Sequence, residues 1–451
     1  MIDFGRLNSF LSSGRRRMGR TLEALSRSGF FISHRDKMAG GAEQMLSSAT
    51  SMIGLIMLSR MMDIYSFGIV ATASGIWLMV EMIQHSATIG PFILSCPHPA
   101  QDRESFGAWI LWNLLVAIVL CCSFILGGLL LWSHLPDFAH GLFLSGPLCL
   151  AGMLYMFIRR LQYHLANRKA LLLQASLYSV SYLGTVGIMW FQGIKPTPAE
   201  GTLIQIVGFA VPVLVTSFSA IRPAKFRLGA MRNIWRARKL IGELGTAGII
   251  WQLPYTITLL ALSVLANPVA VAIFTITRTL VRPITLVMAT IGDVELSRAS
   301  RAYAVEGVEG LTRVIRRARN SLWLLNGAFI VLLLAFPSFF LKLVYGQQYA
   351  DAGWELQLRV MLFLPLIYLA PLDMGLAVLR DTRFLLHIYL ISLAGCLGYL
   401  AVAYLNGSMD AASALASLVF ARVLVIPFMH RRYFRKALSL TAHRSALAAP
   451  G

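Results

Sequence analysis

Charged residues are scarce in this chain of 451 residues: Asp, Glu, Lys and Arg make up 13% of it, and hydrophobic residues make up 57%. A soluble domain averages about 25% charged and 45–50% apolar residues, so this composition excludes an ordinary soluble protein. Acids are scarcest, with 20 Asp and Glu against 40 Lys and Arg. The basic residues cluster between long apolar runs, which is typical of membrane topology control rather than of nucleic-acid binding.

Several functional motifs are also missing. The five cysteines have no spacing typical of a disulfide framework or a metal site, so we expect neither a metal nor a cofactor. The absence of a Gly-x-x-x-x-Gly-Lys-Ser/Thr loop argues against ATP hydrolysis by the chain itself. No short apolar region with a cleavage site directly follows the basic N-terminus, so we expect no cleaved signal peptide. Residues 1–37 are instead predicted to form a cytoplasmic arm near anionic lipid headgroups.

Long apolar runs dominate what remains, and they predict about twelve membrane-spanning helices. A membrane barrel would show short alternating strands instead. The first span is the weakest, because Glu43 and Gln44 lie near its start. The predicted spans cover residues 39–61, 67–94, 107–132, 141–158, 170–191, 202–221, 240–265, 269–292, 321–344, 356–379, 384–405 and 411–429.

The distribution of basic residues predicts an even number of spans with both termini inside. The outside loops and their margins hold little more than Arg60, Lys195 and Lys342. The inside segments are the N-terminal arm and residues 159–169, 222–239, 298–319, 380–383 and 431–444. The expected divisions are the arm (1–37), a first six-helix bundle (38–221), a basic linker (222–239), a second six-helix bundle (240–430) and a basic tail (431–451).

A weak internal repeat supports two equivalent halves. At an offset of about 204 residues, Leu58-Ser59, Asp63 and Gly68-Ile69 align with Leu262-Ser263, Asn267 and Ala272-Ile273. Each copy places a short outside turn between two spans. Paired halves with a substrate site at their interface are typical of transporters.

Two arginines, Arg278 and Arg282, lie inside the apolar run of the eighth span. Residues four apart share one helix face, so we expect both guanidinium groups to point the same way, with Pro283 beside the second. An arginine in mid-membrane costs roughly 2.5–3.5 kcal/mol on the mildest scale. Either an ion pair with a nearby acid or an anion site in a transport path explains the pair, and we favour the anion site. Arg359 is a third candidate ligand, although its place near the outer end also fits a side chain that snorkels to the surface.

Acids within the spans are candidates for ion pairing or for carrying a coupling proton. Glu81 and His85 are four apart, which predicts a local pair on one helix face. Asp373 is the acid least easily explained by position. Glu43 and Glu243 lie near inner helix starts, where acids are favoured in any case.

Short motifs in a fixed order give the chain a family resemblance. It resembles the polysaccharide flippases of the multidrug/oligosaccharidyl-lipid/polysaccharide exporter superfamily over roughly residues 38–435. The residues from Asp293 to Ser297 depart from that family, which usually has a proline followed by serine there. The matching motifs are Tyr65-Ser66-Phe67-Gly68-Ile69, Gly90-Pro91-Phe92-Ile93-Leu94, Phe106-Gly107-Ala108-Trp109 and Gly346-Gln347-Gln348-Tyr349-Ala350-Asp351-Ala352.

The resemblance implies an all-α fold of two six-helix bundles around a central, alternately opening cavity. It implies a non-enzymatic flippase for polyprenyl-diphosphate-linked oligosaccharides in the bacterial inner membrane, serving O-antigen, capsule or exopolysaccharide export. Membrane lipids, a polysaccharide polymerase and glycosyltransferases are the expected partners. In such a cavity Arg278, Arg282 and Arg359 would bind the diphosphate, because a guanidinium fork matches phosphate oxygens.

Two other functions remain open. A membrane-embedded polysaccharide polymerase, ligase or acyltransferase needs a catalytic group, often on a long external loop, and the predicted outside loops are short. A multidrug antiporter shares the implied fold, but the basic character of the central spans argues against cationic drugs. For a flippase we expect the membrane potential to contribute to the drive, with proton exchange at Glu81 or Asp373 as an addition.

Overall fold

The computed structural model describes residues 41–96, 102–165, 167–222, 224–379 and 381–448. Those ranges are almost entirely helical and contain no strand. The predicted N-terminal arm, residues 1–37, lies outside the described residues.

Fourteen helices, labelled in chain order, organise the described residues, together with a short helix, Met231–Arg236. A π-helical turn, His85–Ile89, interrupts the second of these helices. The first six are α1 (41–61), α2 (Ile64–Ser95), α3 (Arg103–Leu131), α4 (Pro136–His164), α5 (Arg168–Phe191) and α6 (Pro198–Ile221). The rest are α7 (Arg238–Leu265), α8 (Pro268–Leu280), α9 (Arg282–Glu306), α10 (Val308–Ala335), α11 (Pro337–Tyr345), α12 (Gly353–Val378), α13 (Thr382–Leu405) and α14 (Ala411–Ala448).

The prediction of an all-α polytopic membrane protein is confirmed. Within the described ranges, nine helices are long and apolar enough to cross a bilayer, and the bent pair α8–α9 makes a tenth when counted as one span. The remaining two predicted spans, the first and the seventh, correspond to α1 and α7. The most apolar part of α7 is the stretch Leu253–Leu265.

Two basic segments predicted as inside connections are largely helical in the structure. Arg159 and Arg160 belong to α4, which continues to His164. The segment 298–319 contains the end of α9 and the start of α10, which meet at Gly307. Gly307 has a φ of 72°, a conformation that glycine adopts without the steric penalty of a side chain. These helices extend beyond their apolar runs, because polar groups near helix ends form hydrogen bonds with water or with other side chains.

The apolar core is shared by both halves at one end of the molecule and divided at the other. The shared core includes Val70 of α2, Val271 of α8 and Leu356 of α12. A second cluster, around Phe92 and Phe157, is built mainly from first-half elements and the helix that precedes α7, with Ile241 of α7 packed against it. A third cluster joins α9, α10, α12, α13 and α14. The divided end therefore leaves room between the halves.

Close backbone contact seals the end with the shared core, called here the closed end. A Cβ atom added to Gly68 in α2 would lie 1.9 Å from the carbonyl oxygen of Pro268, the first residue of α8. Gln348 donates from Nε2 to the carbonyl of Ser59 at 2.7 Å. Arg60 donates from Nε to the carbonyl of Val344 at 2.7 Å, so the α1–α2 turn is tied to the end of α11.

The structure gives the two copies of the internal repeat the same local geometry. The Asp63 carboxylate caps α2 by accepting a hydrogen bond from the Ser66 amide at 2.9 Å. The Asn267 side chain caps α8 in the same way, accepting from the Ala270 amide at 2.9 Å. Both residues follow a short turn, and side-chain acceptors at that position satisfy free amides of the first helical turn.

Candidate functional site

A cavity of about 390 Å³ lies between the halves and is the candidate site. Its volume is in the range of about 300–1,000 Å³ that small-ligand pockets have. Gln44 of α1 and Thr285 of α9 contribute to its lining and are exposed, so they mark its mouth. Helices α1, α2, α4, α5 and α6 of the first half and α7, α8 and α9 of the second supply its walls.

Arg278 and Arg282 both line this cavity. The sequence predicted that both arginines lie on one straight helix, and the structure shows that they do not. The chain bends by 51° between α8 and α9, so that Arg278 lies near the end of one helix and Arg282 begins the next. Pro283 explains the break, because it has no amide hydrogen and its ring clashes with the carbonyl four residues earlier. The bend keeps both side chains on the same cavity despite the loss of a common face.

Neutral groups hold the two arginines. Arg278 donates from Nη1 to the hydroxyl of Tyr255 at 3.1 Å, and its Cζ lies 4.6 Å from the centre of that ring. Arg282 donates from Nη1 to Ser51 Oγ at 2.6 Å. Among the described residues, neither arginine forms a salt bridge. Their charges therefore remain available for an anion.

Glu81 is the acid of the cavity lining. Its carboxylate lies within electrostatic reach of Arg159, Arg160, Arg278 and Arg282. No hydrogen bond joins it to His85, which is exposed at the start of the π-helical turn. The predicted local pair of Glu81 and His85 is therefore not formed, and Glu81 faces the arginines of the cavity instead.

An ion pair that the sequence reading missed borders the cavity. The guanidinium of Arg159 donates from Nε and Nη2 to both carboxylate oxygens of Glu43, at 2.7 and 2.8 Å. Tyr163 and Ser47 donate to the same carboxylate at 2.6 and 2.8 Å, and Glu43 is 1% exposed. Glu43 is thus a partner for Arg159 rather than only an acid at a helix start.

The part of the lining that the first half supplies is rich in hydroxyl, amide and aromatic groups. Ser74 donates to Gln205 Oε1 at 3.0 Å, and both side chains line the cavity. The rings of Tyr178 and Phe209 are stacked, with centroids 5.5 Å apart and planes 4° apart. Tyr155 packs against both rings, at 5.3 and 5.2 Å.

Besides Glu43 and His85, the predicted site residues Arg359 and Asp373 also lie outside the cavity lining. Arg359 is 3% exposed, so it does not snorkel to the surface. It donates from Nη2 to the Phe274 carbonyl at 3.1 Å, and its Cζ lies 4.3 Å from the Phe274 ring centre. Asp373 accepts a hydrogen bond from the Tyr389 hydroxyl at 3.2 Å, within the second half.

The residues missed by sequence reasoning share one cause. Arg159 directly follows an apolar run, which predicts a span boundary there, and the serines and glutamines of α1, α2 and α6 carry no charge that would mark them as site residues. One signal was available: a carboxylate in an apolar run with few acids needs a partner. Glu43 and Arg159 each lie near a predicted inside end, so they were candidates for pairing.

No family model and no curated protein sequence matches this chain, but solved structures do. The lipid II flippase MurJ in an inward closed conformation has a TM-score of 0.68 at 10% identity, covering 88% of this chain and 89% of that one. An inward-facing multidrug resistance MATE family transporter of the MOP superfamily has a TM-score of 0.69 at 12% identity, covering 88% and 96%. A MOP superfamily transporter from Pyrococcus furiosus has a TM-score of 0.53 at 14% identity, covering 90% and 94%. These similarities establish that the fold is that of MOP superfamily transporters.

Proposed function

We propose that this protein is a flippase that moves a polyprenyl-diphosphate-linked oligosaccharide across a bacterial inner membrane by alternating access, with both termini in the cytoplasm. The observation that carries the proposal is the pair Arg278 and Arg282, which line one cavity and form no salt bridge among the described residues. Charged side chains within the membrane are costly and face cavities or partners. A bound diphosphate offsets that cost.

The surroundings of the two arginines suit an exchangeable anion. Tyr255 and Ser51 are neutral, so a phosphate oxygen replaces their hydrogen bonds without separating an ion pair. Charge-assisted hydrogen bonds to phosphate are roughly twice as strong as neutral ones. Arg359 is the third ligand of the proposal. In this conformation Arg359 donates a hydrogen bond to the carbonyl of Phe274 in α8. Arg359 therefore binds the diphosphate only after α8 and α12 separate.

Glu81 is proposed either to pair electrostatically with the arginines when no anion is present or to carry a coupling proton. The carboxylate lies within reach of four arginines, which supports this role. Asp373 is the second candidate for proton coupling and lies away from the cavity, next to Tyr389. A proton carried inward at either acid would add to the work done by the membrane potential.

The wider role that we propose is export of lipopolysaccharide, capsule or exopolysaccharide. Support comes from the shared fold with a lipid II flippase and from the order of flippase-like motifs along the sequence. A polysaccharide polymerase and glycosyltransferases would then act after and before the flippase. The basic ends of the helices are proposed to contact anionic membrane lipids.

A multidrug exporter is the second candidate function. It is favoured by Glu81 together with the aromatic cluster of Trp77, Tyr155, Tyr178 and Phe209 beside it. An organic cation is attracted both to a carboxylate and to aromatic faces. The unpaired arginines repel such a cation, which is why the flippase is preferred.

Reconstituted vesicles distinguish the two functions. We expect the wild-type protein to move labelled polyprenyl-diphosphate oligosaccharide across the bilayer and to leave a cationic dye in place. Arg278→Ala and Arg282→Ala should each slow lipid movement by about tenfold to a hundredfold, since each removes hydrogen bonds to a charged group. Arg278→Lys should retain part of the rate, because it keeps the charge and loses the fork. Dye movement without lipid movement would establish the multidrug function instead.

A further inference from the structure

Three hydrogen-bonding groups in the cavity lining are buried without a partner among the described residues. They are Gln205 Nε2 in α6, Tyr155 Oη in α4 and Thr275 Oγ1 in α8. Gln205 is 8% exposed and Tyr155 is 3% exposed, so neither is satisfied by bulk water in this conformation. A buried polar group left unpaired is costly, and each such group in a native fold calls for an explanation.

Neighbouring side chains do not supply the missing hydrogen-bond partners. Gln205 uses its Oε1 to accept from Ser74, which leaves the amide nitrogen with two hydrogens to donate. The Ser47 hydroxyl near Tyr155 donates its hydrogen to Glu43, so it does not donate to the tyrosine oxygen. Other buried amides, such as Gln162, are also unpaired, but they do not line the cavity. Gln205 and Tyr155 are distinguished by facing it.

The chemistry of this wall matches a neutral, hydroxylated ligand. It combines free donors, the hydroxyls of Ser48 and Ser74, and the aromatic cluster around Tyr178. Sugars present hydroxyls that donate and accept, together with C–H faces that pack on aromatic rings. Gln205, Ser74 and Tyr178 belong to first-half helices, whereas Arg278 and Arg282 belong to α8 and α9 of the second half.

We propose that Gln205 and Tyr155, backed by Ser74 and the Tyr178 ring, form a saccharide subsite in the same cavity as the diphosphate-binding arginines. This inference rests on the proposed flippase function and divides its site into two parts. Arg278 and Arg282 hold the charged link of the lipid, and the wall of α2, α4, α5 and α6 holds the sugars. Sugar hydroxyls then accept from the Gln205 amide and hydrogen-bond with the Tyr155 hydroxyl, the groups that have no partner among the described residues.

Binding to the purified, full-length protein in nanodiscs tests the subsite. The two probes are bare polyprenyl diphosphate and lipid-linked saccharides extracted from source-organism membranes that lack this protein. We expect the wild-type protein to bind the glycosylated lipids more tightly. Gln205→Leu and Tyr155→Phe should each weaken binding of the glycosylated lipids by about tenfold and leave bare diphosphate binding unchanged. Gln162→Leu, a buried glutamine with an unpaired amide outside the cavity lining, is the matched control and should change neither affinity.

The outcomes separate the subsite from the flippase function. Arg278→Ala should weaken both probes by the same factor, because both carry the diphosphate. Equal wild-type affinities for the two probes, unchanged by Gln205→Leu, would overturn the saccharide subsite and leave the flippase proposal intact. Equal weakening of both probes by Gln205→Leu would also overturn the subsite, since it indicates a general structural effect. Failure of the wild-type protein to bind either probe would overturn the flippase proposal and the subsite with it.

Discussion

At the scale of single residues, the cavity keeps two kinds of arginine. Arg159 is neutralised by Glu43 through two short hydrogen bonds, whereas Arg278 and Arg282 are held by a phenol and a serine hydroxyl. The first kind supports the wall, because separating a buried pair leaves an uncompensated charge. The second kind retains its charge for a ligand. The two kinds predict different results when each is mutated.

Replacing an arginine together with an acid tests whether Arg278 and Arg282 serve as ion-pair partners. Arg278→Ala and Arg282→Ala are expected to abolish export while the protein accumulates to normal levels, as measured by membrane immunoblots and surface polysaccharide. The double variants Arg278→Ala with Glu81→Gln, and Arg278→Ala with Asp373→Asn, should remain inactive. Recovery of export in either double variant would show a structural pair. Arg383→Ala, an exposed arginine on α13, is the control.

The Glu43–Arg159 pair should contribute to stability rather than to ligand binding. Glu43→Gln should lower the free energy of unfolding by about 3–5 kcal/mol, because it leaves the buried Arg159 without its counter-charge. Glu104→Gln is the matched control: it breaks the Arg227–Glu104 pair, whose side chains are 72% and 46% exposed. That loss should be below about 1 kcal/mol. Thermal unfolding in detergent measures both, and equal shifts for the two variants would contradict the assignment.

At the scale of helices, a continuous apolar run was enough to locate most spans, but not their bends. The sequence placed the eighth span at residues 269–292, where the structure has the broken pair α8–α9. Pro283 was visible, yet proline occurs in many straight or gently bent membrane helices, so its presence alone does not predict a 51° break. The same limit applies to the ends of α4 and α10. Charged residues there were read as boundaries, because the partners that keep them helical lie far away in sequence.

The contact of α2 with α8 at Gly68 should be intolerant of any side chain. Gly68→Ala places a methyl group 1.9 Å from a backbone oxygen, which cannot rotate away, so α8 must shift. We expect a lower unfolding temperature and greater labelling of a cysteine introduced at Ser59 on the closed end. Gly184→Ala is the matched control, since nothing lies within 4 Å of its Cβ position. Alanine there should be neutral or stabilising by about 1 kcal/mol, and similar shifts for the two variants would disprove the contact.

Asp381, between α12 and α13, provides a pH-dependent tie to α14. Arg432 donates to its carboxylate from Nε at 2.9 Å, and Lys436 lies 3.3 Å away. The Arg432 hydrogen bond holds the pKa of Asp381 below its usual value, despite the opposing effect of burial. A lowered folded-state pKa gives stability that is present above the unfolded-state pKa, near 4, and is lost as pH falls further.

The resulting prediction concerns the difference in unfolding temperature between the wild-type protein and Asp381→Asn. That difference should be constant between about pH 5 and 8 and should shrink below about pH 4. It should be small, because the Arg432 side chain is 49% exposed. Amide exchange in the end of α14 should follow the same pH dependence. A difference that persists unchanged to pH 3 would contradict the role of this carboxylate.

At the scale of the whole molecule, hydropathy and charge were enough to predict the class and approximate number of spans. The MOP superfamily fold followed from the order of loose motifs, and the structural similarities confirm it. The repeat was also visible, since Asp63 and Asn267 cap equivalent helices. The cavity was not predictable in detail. Its lining brings together Ser74, Tyr155 and Gln205 from three helices, and no local sequence pattern predicts that these residues lie close together.

Membrane topology is the whole-molecule prediction that remains to be tested. With both termini cytoplasmic, reporters fused after Lys195 and after Tyr349 should read external, and one fused after Lys239 should read cytoplasmic. Alkaline phosphatase and green fluorescent protein fusions give complementary signals at each site. A cytoplasmic signal after Tyr349 would contradict the prediction of an even number of spans in the second half.

The seal at Gly68 and Pro268 also determines where a transmembrane electric field is concentrated. Water in the cavity conducts much better than hydrocarbon, so the cavity interior stays near the potential of the solution at its mouth. The low-dielectric closed end then carries most of the voltage, much as a narrow cleft focuses field lines. In the proposed flippase, a phosphate held by Arg278 and Arg282 has crossed little of that field on entry. Its passage past the seal accordingly receives most of the electrical work, about 2.3 kcal/mol for each charge per 100 mV.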